Sequence, residues 1–311
     1  MPLAPEIEAL MAGINALPQM HERPLPELRL PRARMDPATF QKVGKAEDLE
    51  IPGPGGALPL RVYHPRGANG SLPLVLVCHG GGFVFGNIDG SYDHVCRVLC
   101  EGAQCRVISV GYRLAPEDKF PAAPDDVYAA LKWAAANANA LGIDTEKIFV
   151  AGGSAGANLA AVTALRARDL GELQLRGQVL FYPMTTFHTP ATASSLDFAK
   201  GYYLTRADVV WFLEQYFKDE ADRMNPYAMP LSATSLAGLP SALIVTAEFD
   251  PLRDEGEQYA RRLASEGVDV KLSRYEGMVH GFLAFPTDKV DQALQETIQW
   301  LRMRLDNPAP T

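Results

Sequence analysis

The chain has 311 residues, 47% of them hydrophobic and 21% charged, with 24 Pro and 26 Gly. That composition excludes a disordered chain, a collagen-like repeat and a small disulfide scaffold, and the length leaves room for one large domain carrying a small insertion. Acidic residues outnumber basic ones by 37 to 29, a formal net charge of -8 without blocks of like charge, so nucleic acid and anionic lipid are not expected partners.

No apolar run reaches the roughly 18 residues of a membrane helix. The stretch Met1–Met20 holds Glu6 and Glu8 but no Lys or Arg, unlike the basic start of a signal peptide. A cytoplasmic protein with no membrane partner is expected. The cysteines Cys78, Cys96, Cys100 and Cys105 crowd into one short stretch without a C-x-x-C pair, which reads as buried free thiols and predicts no metal site.

In chain order, Ile7, Leu10, Met11, Ile14 and Leu17 form a helical stripe within residues 5–17. A Pro- and Arg-rich connector follows from Arg23 to Arg34. Residues 47–51 and 58–64 flank the turn formers Pro52 to Gly56 and predict a hairpin. Strands are then predicted at 72–78, 106–110, 147–151, 178–182, 242–247 and 268–275. Helices are predicted at 93–100, 125–139, 155–168, 254–266 and 288–305. This alternation gives an α/β fold with a mostly parallel central sheet covered by helices on both faces.

Between Tyr182 and Ala242 the alternation breaks, leaving a helical stretch at 206–219 in long irregular flanks. Residues 184–239 hold nine aromatic side chains, about twice their share of the chain. An insertion this aromatic predicts a lid over an apolar pocket, with some rings packing it onto the body instead.

The chemistry-bearing signals lie at strand ends. Gly152-Gly153-Ser154-Ala155-Gly156 fits G-x-S-x-G directly after a predicted strand and before a predicted helix, the context of a nucleophile elbow. The glycines permit the sharp turn, and the helix N-terminus favours developing negative charge at Ser154. A glycine-rich helix cap is the plainer reading. His79-Gly80-Gly81-Gly82 follows the strand at 72–78 and offers closely approaching N–H groups suited to an oxyanion; no Lys follows as in a phosphate loop.

A nucleophilic serine needs a base, and the base an orienting acid. Of six histidines, His280 alone follows the last predicted strand, in the loop Glu276–Phe282 with glycines on either side. His79 reads as a brace for the glycine loop, His64 and His94 as structural, and His188 as a pocket residue. Asp250 follows the strand at 242–247 and completes the chain order nucleophile, acid, base. Its rival role is capping the helix that Pro251 would start. Glu248 and Asp254 are the fallback acids.

The stretches His79–Phe83, Tyr112–Glu117, Phe120–Ala123, the Ser154 elbow, Asp250–Asp254 and His280–Phe282 together resemble the hormone-sensitive-lipase-type esterases, the bacterial family IV. The resemblance implies an α/β-hydrolase body at 46–183 and 240–311. It implies a helical cap from residues 1–45 and the insertion 184–239, and a Ser154-His280-Asp250 triad acting on a small ester. Carried over by position, the oxyanion donors are the N–H groups of Gly81, Gly82 and Ala155, supported by His79, Gly80, Gly152 and Gly156. The implied reaction is carboxylic-ester hydrolysis of short-to-medium acyl chains, with no cofactor. An amidase or peptidase would use the same triad. A non-catalytic receptor of this fold, as among plant gibberellin receptors, lacks the histidine found here at 280. Two departures stand out: Gly153 occupies a position where the family usually has Asp or Thr, and Ala157-Asn158 replaces the more usual Gly after Gly156. A homodimer is expected, formed along the open edge of the last strand through Asp269, Lys271 and Ser273, unless the C-terminal helix shields that edge.

Overall fold

A computed structural model describes residues 2–30, 40–90, 92–187 and 189–306. The N-terminal part holds α1 (Pro5–Ile14), a 3-10 turn at Met20–Glu22 and α2 (Leu25–Leu28). The strands are β1 (Lys45–Gly53), β2 (Gly56–His64), β3 (Leu72–Cys78), β4 (Arg106–Val110), β5 (Ile143–Gly153), β6 (Gly177–Phe181), β7 (Ser241–Phe249) and β8 (Val270–Val279). Between them run α3 (Tyr92–Ala103), α4 (Ala122–Ala136), α5 (Ala138–Leu141), α6 (Ala155–Leu170), α7 (Ala193–Asp197), α8 (Arg206–Tyr216), α9 (Arg253–Ser265) and α10 (Asp288–Asp306).

All eight strands form one sheet in the order β1-β2-β4-β3-β5-β6-β7-β8. The β1–β2 and β2–β4 pairs are antiparallel and every later pair is parallel. The apolar residues divide into two cores, as a sheet buried on both faces requires. One packs α4, α6 and α9 against the sheet; the other packs α1, α3 and α10. Parallel strands all point their carboxyl ends the same way, so the turns after β3, β5, β7 and β8 gather along one rim.

Several element ends differ from the sequence reading. Helix α1 stops at Ile14 and leaves Leu17 61% exposed, because Pro18 disfavours helical backbone at the residue before it. The predicted helix at 125–139 starts earlier, at Ala122, and breaks at Asn137, whose side chain returns to the Trp133 carbonyl; α5 then ends at Gly142 with φ +62°. Strand β8 continues through Glu276–Val279, which the sequence reading had as loop, so His280 is the first residue after the strand. A register shift between Ala247 and Phe249 brings Phe249 opposite Val279 and carries the pairing that far.

Candidate active site

Ser154 sits between β5 and α6 with φ 57° and ψ -122°, a backbone conformation held only by its surroundings. A Cβ on Gly152 would strike the Gly156 carbonyl, and one on Gly156 would strike the carbonyls of Cys78 and His79. Those two glycines are therefore dictated by the closeness of β5, α6 and β3. The Ser154 N–H donates to the Phe181 carbonyl at 2.9 Å, fastening the turn to β6.

His280 and Asp250 reach the same rim from β8 and β7. The Ser154 Oγ lies 2.9 Å from His280 Nε2, and His280 Nδ1 lies 2.8 Å from Asp250 Oδ2. Both partners are buried, with Asp250 fully so. With Nδ1–H donating to the carboxylate, Nε2 is free to accept the serine proton, the arrangement of an activated nucleophile. Asp250 also accepts the Leu252 N–H at 2.8 Å, which holds the turn before α9; the helix itself starts at Arg253 with Leu252 as its N-cap and no side-chain cap, so Asp250 does not cap it. The alternative acids lie elsewhere: Glu248 accepts the Gly277 N–H and Asp254 the Ser194 N–H.

Beside Ser154, the loop after β3 folds back on itself, its Gly81 carbonyl accepting from Val84 and Phe85, each at 3.0 Å. Gly81 and Gly82 take φ +133° and +59°, which only glycine adopts freely. The N–H groups of Gly81, Gly82 and Ala155 make no hydrogen bond to any of the described residues. His79 props the loop: its ring stacks on Tyr112 at 4.2 Å, its Nδ1 donates to the Gly80 carbonyl at 2.9 Å, and the Tyr112 hydroxyl donates to the His79 carbonyl at 2.8 Å. Burial pushes its imidazole down to about 4, so it is neutral at physiological pH.

Three supports were not found from the sequence. Arg29, the residue directly after α2, donates through Nε to the Val84 carbonyl at 2.9 Å and through Nη2 to the Ala115 carbonyl at 2.8 Å. It also pairs with Glu117, so the Arg-rich connector pins the glycine loop from outside. Tyr92 of α3 fills the place beside Gly153, where an added Cβ would land on the Tyr92 hydroxyl. The missing side chain at 153 thus leaves no void. Glu255 of α9 is buried behind Asp250 and accepts the Thr185 N–H at 2.6 Å. Asn158, at the second departure, is buried and donates to the carbonyls of Met184 and Ala228 at 2.9 and 2.8 Å.

Ser154, His280 and the glycine loop floor a cavity of about 1360 Å³, with Ile14 and Met20 of the N-terminal part and Leu204 and Phe212 of the insertion among its walls. The N-terminal part is fastened to the insertion by His21, whose backbone N–H and Nδ1 both meet Asp208 Oδ1, at 2.9 and 2.8 Å. Of the nine aromatic residues of the insertion, Tyr203 and Phe212 line the cavity. Others fasten the insertion to the body: Tyr216 stacks on Phe83 at 3.8 Å, and Tyr202 stacks on Phe249 at 5.2 Å. Packing thus claims more of these rings than the expected lid does. His64 pairs with Glu47 at 2.8 Å, away from this rim; His94 also lines the cavity, and His188 lies outside the described residues. Among the described residues the four cysteines are buried and free, no cluster of His, Cys, Asp and Glu is grouped to hold a metal, and no helix is long and apolar enough to cross a membrane.

A serine on a strained strand-to-helix turn, at the carboxyl rim of a sheet flanked by helices, defines an α/β-hydrolase. A family model described as alpha/beta hydrolase fold matches residues 75–284, and the chain belongs to the hormone-sensitive-lipase-type esterases of that superfamily, a family of serine carboxylesterases. It is similar to the carboxylic ester hydrolase LipN of Mycobacterium tuberculosis, 45% identical over 242 residues; the match spans 76% of this chain and 64% of the mycobacterial one. The arylesterase of Saccharolobus solfataricus is 44% identical over 247 residues, 78% of this chain and 79% of its own. A solved hyperthermophilic esterase from Pyrobaculum calidifontis superposes with a TM-score of 0.91 at 40% identity, covering 99% of this chain and 100% of that one.

Proposed function

We propose that the protein hydrolyses carboxylic esters of small molecules through Ser154, His280 and Asp250. The observation that carries this reading is the unbroken hydrogen-bond path from Ser154 Oγ through the imidazole to a buried carboxylate. Ser154 attacks the ester carbonyl while Nε2 takes its proton, and Asp250 holds the tautomer and stabilises the imidazolium. The oxyanion rests on the N–H groups of Gly81, Gly82 and Ala155, each lowering the barrier by about 3–4 kcal/mol. The imidazolium then protonates the departing alcohol, and water cleaves the acyl-enzyme by the same path.

The N-terminal elements and the insertion 184–239 act together as the cap, which the His21–Asp208 bonds support. Their apolar side chains beside Ser154 favour uncharged, short-to-medium acyl esters. The test is turnover across a p-nitrophenyl ester series. Activity is expected to peak below long acyl chains and to fall by at least about 10⁴-fold in Ser154→Ala. A fluorophosphonate should label Ser154 alone. Near-normal turnover in Ser154→Ala would overturn the reading, and so would faster cleavage of amides or peptides than of esters.

A further inference from the structure

Two phenol hydroxyls stand beside the Ser154 elbow and have no part in the triad. Tyr92 Oη and Tyr182 Oη are 3.2 Å apart, and among the described residues each is the other's hydrogen-bond partner. A Cβ built on Gly80 would lie 3.6 Å from both Ser154 Cβ and Tyr92 Cε2. The Tyr92 phenol therefore occupies the gap that Gly153 leaves open next to the nucleophile, with Gly80 at contact distance beside it. Tyr182 sets its ring at 62° to that of His280, with centroids 4.9 Å apart. Both tyrosines line the cavity that holds Ser154 and His280.

Counting hydrogens gives the pair a function. Burial raises both phenols above the ordinary tyrosine value, so each keeps its proton. Two hydroxyls carry two hydrogens, and the bond between them uses one. No acceptor among the described residues takes the second, and the open space beside both rings is the cavity. A buried donor without a partner is costly, and a site built to donate discriminates against ligands that cannot accept. Because Tyr182 packs on the imidazole that must protonate the leaving group, the spare hydrogen lies on the alcohol side of the scissile bond.

Resting on the ester-hydrolase reading above, we propose that Tyr92 and Tyr182 form a specificity dyad that donates one hydrogen bond to an acceptor oxygen in the alcohol portion of the substrate. The preferred substrates are then esters of alkoxy- or hydroxy-substituted alcohols rather than of plain alkanols.

The experiment compares kcat/KM for butyl butyrate and 2-methoxyethyl butyrate, which differ by one CH2-to-oxygen exchange, each normalised to its alkaline hydrolysis rate. The wild type is expected to favour the methoxyethyl ester about tenfold, and Tyr92→Phe/Tyr182→Phe to lose that preference. One of the two single variants should lose it as well, since one hydroxyl faces the substrate. The acyl-side pair, p-nitrophenyl butyrate and p-nitrophenyl methoxyacetate, should show no dyad-dependent preference. Fluorophosphonate labelling of Ser154 and the melting temperature report whether each variant is folded; if the double variant is not, the singles decide. Equal normalised rates in the wild type, a preference that survives loss of both hydroxyls, or one confined to the acyl pair would overturn the dyad while leaving the esterase reading intact. Failure of the wild type to cleave any of these esters would take both down.

Discussion

Asp250 Oδ2 meets His280 Nδ1 at 2.8 Å, while the other oxygen of the same carboxylate accepts the Leu252 N–H at 2.8 Å. From sequence, orienting the histidine competes with capping the next helix; in the structure the second oxygen holds the turn at Leu252 instead, and α9 has no side-chain cap. Asp250→Asn should separate the two contacts experimentally. An amide oxygen can still accept the Leu252 N–H, whereas its NH2 turned toward Nδ1 forces the tautomer that cannot take the serine proton. We expect kcat to fall by about 10⁴-fold with little change in melting temperature. Asp250→Ala should add a stability loss of roughly 1–3 kcal/mol from the buried Leu252 N–H left without its acceptor. Steady-state kinetics and urea unfolding check both, and an Asp250→Asn enzyme retaining a tenth of wild-type kcat would refute the assignment.

Arg29 links the N-terminal part to the glycine loop through the Val84 carbonyl. Hydrogen bonds from a charged donor contribute about 1.5–3 kcal/mol. Arg29→Met keeps the apolar stem but frees that loop, so kcat should drop roughly ten- to a hundredfold with KM nearly constant. Arg29→Lys, unable to span both carbonyls, should recover only part. A lowered melting temperature with unchanged kcat would make Arg29 a structural clamp alone.

What could be read in the sequence was local. The Ser154 elbow, the glycine loop and the chain order of Asp250 and His280 all lie within short stretches where a strand or a helix abuts the motif. Strand ends were less legible: Glu276 and Gly277 are a charged residue and a glycine, which look like loop until the pairing with β7 is seen. Arg29, Tyr92 and Glu255 were missed for a shared reason. Each acts through contacts with segments distant in the chain, and locally they look like a connector residue, a helix start and one charge among many in Arg253–Glu257. Gly153 illustrates the same limit, because its vacant side chain is replaced by one from 61 positions earlier, Tyr92.

Glu255 predicts a pH dependence of stability. Burial, with a smaller contribution from the Asp250 charge, pushes its carboxyl up to about 8. Between the unfolded value near 4.5 and about 8, the folded protein holds a proton the unfolded chain has lost. Stability from this group therefore falls as pH rises through that window, by on the order of a few kcal/mol in all. Glu255→Gln should flatten the slope and gain most over the wild type near pH 9, while the two differ least near pH 4. Unfolding free energies at intervals of one pH unit test this, and parallel curves would show that Glu255 carries no such proton.

The last prediction concerns assembly. Strand β8 ends the sheet, but its side chains are not arranged as the sequence suggested. Lys271, Ser273 and Tyr275 converge on Glu296 of α10, at 2.8, 2.6 and 2.8 Å, instead of pointing freely outward. Asp269 precedes the strand and pairs with Arg304. Helix α10 thus covers one face of β8 and not its hydrogen-bonding edge. At the far end, the Ala4 N–H takes the Gly277 carbonyl, so the edge is covered there, while Leu272 stays 40% exposed. An uncovered edge with an exposed leucine invites pairing with a second copy about a twofold axis, which would bring the two Leu272 edges together. We expect light scattering at micromolar concentration to give twice the chain mass of 33.8 kDa, and Leu272→Lys to shift the population toward monomer by setting like charges against each other. A wild-type mass of one chain would exclude the dimer, and a Leu272→Lys dimer would move the interface to another surface.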